Sequence, residues 1–132
     1  MVRVVIVLRV LHVVMALLFA LSIAVQYNDP DAPPWMMMYG AALIVAVSGA
    51  VARPMQWQAA LLATFAFAWA LTLYPAVPAF LHSGVSTSFY MHTGDNVEEE
   101  ARECGGLSIV VVWSLVTLVD SNARRRSSKA YA

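Results

Sequence analysis

Six side chains with hard oxygen donors fall in two short stretches of this 132-residue chain: Asn28, Asp29 and Asp31 in one, Glu99, Glu100 and Glu103 in the other. Carboxylate and amide oxygens are the ligands preferred by calcium, magnesium and manganese, so a divalent cation is the cofactor such a cluster would hold. The spacing matches no metal-binding loop, and the chain contains neither a His-Glu-x-x-His nor a Glu-x-x-His pair. Two other readings use the same groups. Arg102 lies among the glutamates, and a guanidinium grips carboxylates bidentately; it would bridge to Asp29 or Asp31 and tie the first stretch onto the second. Alternatively, the carboxylates would serve an enzyme as acid and base. On a helix Glu99 and Glu103 are four apart, Glu100 and Glu103 three apart, and Glu98 reaches Arg102. Like charges that close need a cation between them, and Arg102 is read as the central ionic contact of this cluster.

Other chemistry is thinner. Met36-Met37-Met38 with Met91-His92 offers soft ligands for copper(I), but consecutive helical residues point in different directions, so at most two of the three methionines can face one ion. Cys104 has no cationic neighbour except Arg102 and reads as a passive thiol. There is no Ser-His-Asp arrangement, phosphate-binding glycine loop or dinucleotide fingerprint. Within the apolar runs, Arg9 and His12 stand out, because ionisable groups in hydrocarbon are costly. Arg9 is close enough to the start of its helix to snorkel to the headgroups. For His12, a neutral ring bonded to a neighbouring helix is the expected state, a proton relay needing more titratable groups than that helix shows. Asp120 is expected to meet Arg124 at the i,i+4 spacing.

The elements that must position these groups are membrane helices. Hydrophobic residues make up 61% of the chain and charged ones 12%, against roughly 25% charged in a soluble domain. Eight basic and eight acidic side chains cancel, which removes the electrostatic case for a nucleic-acid partner and leaves the lipid bilayer as the expected environment. A span needs about 20 apolar residues. Helices are predicted from about residue 4 to 26, 35 to 52, 57 to 81 with a kink near Pro75, and 96 to 120, followed by a basic tail over 121–132. Arg3, the first apolar run and Ser22-Ile23-Ala24 imitate a secretory leader, but the segment is expected to be retained as a span. Asn96 and Glu99 stand at capping-box spacing, so the last helix is expected to start well outside the apolar core. The expected fold class is therefore an all-α, integral membrane four-helix bundle forming one domain.

Seven of the eight acids fall in the links after the first and third helices, and seven of the eight bases fall at the opposite ends. The positive-inside rule then places both termini in the cytoplasm and the acids outside, in the periplasm of a bacterial inner membrane. Ala42, Ala46 and Ala50 beside Gly49, and Ala59, Ala63, Ala66 and Ala70, form stripes of small residues suited to close helix contact. Trp35, Tyr39, Trp57 and Tyr74 are predicted to be interfacial anchors.

The segment from Gln26 to Asp31 with Trp35 and Tyr39, and the run Glu98-Glu99-Glu100-Ala101-Arg102-Glu103 with Gly106-Leu107, resemble the signature of the transmembrane protein 220 family. The resemblance covers most of the chain and implies a multi-span membrane protein, without an established activity to carry over. Some relatives continue with further hydrophobic segments. No catalytic constellation is complete, so the reading leans away from an enzyme. The expected function is a scaffold or accessory subunit that docks on partner membrane proteins or on itself through its small-residue faces and acidic cap. The alternative is an outward-facing acidic pocket for a divalent cation or small polar ligand.

Overall fold

The computed structural model describes residues 2–83 and 96–130, and the described residues contain helices and no strand. The first helix, α1, runs Val2–Val25 and ends in a single 3-10 turn, Gln26–Asn28. Asp29 follows with φ −79° and ψ 138°, the extended conformation imposed on a residue that precedes proline. Helix α2, Ala32–Ala50, takes Pro33 in its first turn, where a missing N–H costs no helical hydrogen bond. Asp31 stands at its N-cap without capping it; its carboxylate instead accepts the indole N–H of Trp35 at 3.0 Å.

Helix α2 closes in a Schellman motif. The Arg53 N–H reaches back to the Ser48 carbonyl at 2.9 Å and the Ala52 N–H to that of Gly49 at 3.1 Å, with Ala52 left-handed at φ 59°. Glycine usually fills that position because it has no Cβ to clash. The turn is further fixed by the Ser48 hydroxyl, which accepts the Met55 N–H at 3.2 Å. The third apolar segment is broken. Helix α3, Gln56–Leu73, meets α4, Ala76–Ser83, at a 49° bend. Pro75 sits at the break and cannot donate to the helical ladder. The last helix, α5, spans Asn96–Ala130. At 1.5 Å per residue it is about 52 Å long, against a hydrocarbon core of ~30 Å, so several of its turns stand outside the apolar slab.

Three helices are long and apolar enough to cross a membrane, and the bent pair α3–α4 would make a fourth span. The protein is an all-α membrane protein. Helix α1 packs on α2, α3 packs most extensively on α5, and α2 joins the two pairs. The small-residue stripes form the seams: Ala42, Ala46, Ala59 and Ala66 are essentially inaccessible, with Ala63 and Ala70 nearly so. In lipid, apolar side chains gain nothing by leaving the bilayer, so close backbone approach drives such packing. Trp57 and Tyr74 are exposed near helix ends, as interfacial anchors should be. Trp35 is not an anchor: it is 2% exposed and stacks on Trp69 with centroids 4.6 Å apart, joining α2 to α3. Met91 and His92, weighed above as copper ligands, lie outside the described residues.

Helices α1 and α2 meet closely at Gly49. A Cβ added at Gly49 would fall onto the His12 ring, whereas one at Gly40 on the same helix meets nothing within 4 Å. Gly49→Ala should therefore cost ~1–3 kcal/mol, the range for overpacking a filled core, while Gly40→Ala should be neutral. Unfolding midpoints of the two variants in detergent check this; equal loss in both would refute the contact.

Candidate functional site

One end of the bundle holds an acidic mouth. The extended residue Asp29 and the first turns of α5 bring Asp29, Glu99 and Glu103 around a cleft of about 200 Å³, with Arg102 also on its wall. The remaining wall comes from Ser22, Val25 and Gln26 at the end of α1 and from Trp35 and Tyr39 in α2. Of the six oxygen donors singled out in the sequence, Asp29, Glu99 and Glu103 line this cleft. Asn28 and Glu100 are exposed and do not, and Asp31 is turned onto the Trp35 indole. Arg102 is exposed, and among the described residues no ion pair joins it to a carboxylate. Three carboxylates thus line one small cleft. Among the described residues no three His, Cys, Asp or Glu side chains come together tightly enough to hold a metal ion.

Sequence reasoning missed the polar and aromatic half of the mouth. Ser22 and Gln26 lie on the helical stripe that also carries His12 and Phe19, both buried, and following that period from His12 would have placed them. The Gln26 side-chain oxygen is buried without a hydrogen-bond partner. Tyr39 stacks toward Phe19 of α1 at 6.4 Å, and its hydroxyl occupies the space that a Cβ at Gly106 of α5 would need. Tyr39 thereby wedges between α1 and α5.

The wedge opens a second cavity. An apolar groove of about 460 Å³ runs between α1 and α5, walled by Met15, Leu18, Phe19, Leu21 and Ile109. It shares Ser22, Val25 and Tyr39 with the acidic mouth, so the two adjoin.

The opposite end of the bundle is closed around a charge cluster. His12 is 0% exposed, edge-on to Trp113 at 4.9 Å, with its Nε2 3.6 Å from Asp120 Oδ2. That distance is electrostatic contact rather than a hydrogen bond, and both ring nitrogens lack a hydrogen-bond partner. The Arg124 Nε donates to both Asp120 oxygens at 3.0 and 2.9 Å, and its Nη2 lies 2.9 Å from Oδ2 at an angle that makes an ion pair but not a hydrogen bond. The pairing of Asp120 with Arg124 is as the spacing predicts; the approach of His12 from another helix is not visible in the spacing. Arg9, by contrast, is exposed. The stronger arginine is therefore Arg124 and not Arg102. Arg124→Ala should destabilise by ~3 kcal/mol, the low end for breaking a buried pair, because Arg124 keeps 22% exposure. Arg102→Ala should change little, as for a solvated charge. Thermal midpoints in detergent decide it, and the reverse order would overturn this assignment.

Comparison with known proteins agrees with this architecture. No solved structure matches the chain. Transmembrane protein 220 of Xenopus laevis is 34% identical over 114 residues, which cover 82% of this chain but 56% of that relative. The chain thus spans little more than half the length of the curated relative it matches, and an animal relative does not confine the family to bacterial membranes. The family model "Transmembrane family 220, helix" matches residues 18–119, a stretch that contains the whole acidic mouth and leaves out His12, Asp120 and Arg124. On that match the chain belongs to transmembrane family 220, as a multi-pass membrane protein.

Proposed function

We propose that the protein binds an amphiphile with a cationic head, the head in the acidic mouth and the tail in the groove between α1 and α5. The observation that carries this reading is that the two cavities adjoin, with Ser22, Val25 and Tyr39 lining both. The groove faces the bilayer and is walled by apolar side chains, so it accepts hydrocarbon. The mouth is lined by three acids and one arginine, a balance that favours a positive head. A compact metal ion needs several ligands within bonding distance, and the described residues do not converge that far. An ammonium group needs only carboxylates at hydrogen-bond range and an aromatic face, which Trp35 and Tyr39 supply. The carboxamide oxygen of Gln26, buried without a partner, adds an acceptor for an ammonium proton.

With both termini cytoplasmic, the orientation the basic residues favour, the mouth opens on the outer face; in a bacterial inner membrane that is the periplasm. Docking on a partner through the small-residue stripes has less support, since those alanines are buried inside the bundle.

The test is saturable binding of a long-chain primary alkylamine to the full chain in neutral nanodiscs. Glu103→Gln should weaken binding about ten-fold, since a charge-assisted hydrogen bond contributes roughly 1.5–3 kcal/mol. Ile109→Trp, which fills the groove, should weaken the alkylamine while sparing a short-chain amine. Equal binding of an alkyl alcohol and the alkylamine would remove the charge from the reading, and unchanged binding in both variants would remove the site.

A further inference from the structure

The apolar groove has a neighbour deeper along the same two helices. This further cavity, of about 290 Å³, is lined by Met15 of α1 and by Ser108, Ile109, Val112 and Trp113 of α5. Met15 and Ile109 line both cavities, so the two adjoin. We infer that together they hold one unbranched alkyl chain about one leaflet long, its far end against Trp113. The inference rests on the reading of the mouth as the seat of a cationic head, and it adds the length and course of the tail.

One stripe of each helix lines the path. On α5 the residues Glu99, Glu103, Gly106, Ile109 and Trp113 advance by three or four at each step, and on α1 so do Met15, Leu18, Ser22 and Val25. Residues at that spacing share one helical face, so two stripes make a single track that runs from carboxylates to an indole. Ten residues separate Glu103 from Trp113 and ten separate Val25 from Met15. At 1.5 Å per residue each wall is about 15 Å long, which is half of a ~30 Å hydrocarbon core. An extended chain advances roughly 1.2 Å per backbone bond, so about a dozen carbons fill the track.

Trp113 gives the track a firm end. It is 9% exposed, its ring stands edge-on to His12 at 4.9 Å, and His12 is itself fully buried against Gly49. Among the described residues, none that lines the track lies beyond Trp113 on α5 or before Met15 on α1. An alkyl chain gains no hydrophobic free energy by leaving lipid, so selection here is by shape. The mouth fixes the head and Trp113 stops the tail.

The experiment puts a heavy-atom quencher at the tip of the tail. The full chain in neutral nanodiscs is titrated with ω-bromododecylamine, ω-bromohexylamine or ω-bromododecanol, and tryptophan fluorescence is compared with that of Trp113→Phe, which keeps a ring against His12. Bromododecylamine should quench the Trp113 component saturably, while bromohexylamine, too short to reach, should leave it unchanged. Val112→Phe, which narrows the far cavity alone, should abolish most of that quenching without weakening the binding of hexylamine. Saturable binding of bromododecylamine with Trp113 unquenched would leave the head site standing and overturn the course of the tail. Equal quenching by the two amines, or by bromododecanol, would show contact from the surrounding lipid and overturn it as well. No saturable binding of any amine would remove both readings.

Discussion

A carboxylate moved from water into a low-dielectric interior loses several kcal/mol of solvation even after the surroundings relax. Asp120, 5% exposed, therefore constrains whatever surrounds it. Arg124 meets it from one turn along α5, and His12 approaches it from α1. The His12 ring can reach that depth because Gly49 of α2 has no side chain to block it, and Trp113 closes the other side. The next residue, Ser121, is held by Gln56 at the start of α3. All four long helices are thus fixed relative to one another within a few residues of one carboxylate. The alanine seams supply the area of contact, and this cluster supplies its register.

Much of the architecture follows from one-dimensional constraints and was legible as such. Hydrocarbon admits backbone only when its hydrogen bonds are made internally, so apolar runs of about 20 residues become helices whatever their neighbours. Pro75 breaks a ladder locally, and Asn96 stands where α5 begins. The stripe through Ala59, Ala63, Ala66 and Ala70 needs only the period of one helix to be recognised as a seam. What could not be read is which helices touch and at what depth. His12 and Asp120 enter from opposite ends of different spans, and no periodicity says that they meet. Trp35 fails for a related reason: proximity to a helix end suggests the interface, but the face it occupies points at Trp69 rather than lipid.

The acidic site was half legible for the same cause. The clustering of carboxylates in two stretches gave Asp29, Glu99 and Glu103, because both stretches had to lie on one side of the membrane. Proximity along the chain then suggested Arg102 as their counter-charge. In a helix, however, adjacent residues diverge by 100°, and the turn that brings Glu99 and Glu103 into the cleft leaves Arg102 exposed at its edge. Arg102 lines the same cleft, yet among the described residues it makes no ion pair with a carboxylate.

The two ends differ because α1 is held to α5 at only one of them. At one end His12 touches Trp113 and Asp120, which ties α1 to α5. At the end that holds the acidic mouth, Tyr39 stands between them, its hydroxyl seated over Gly106, and the groove lies beside it. A larger residue at position 106 would collide with that hydroxyl, so the glycine allows the wedge and the wedge creates the groove. With one end sealed by a charge that cannot be exposed and the other spread by an aromatic ring, the opening has one direction. It leads from the apolar groove toward the carboxylates of the mouth, which shares Ser22, Val25 and Tyr39 with it.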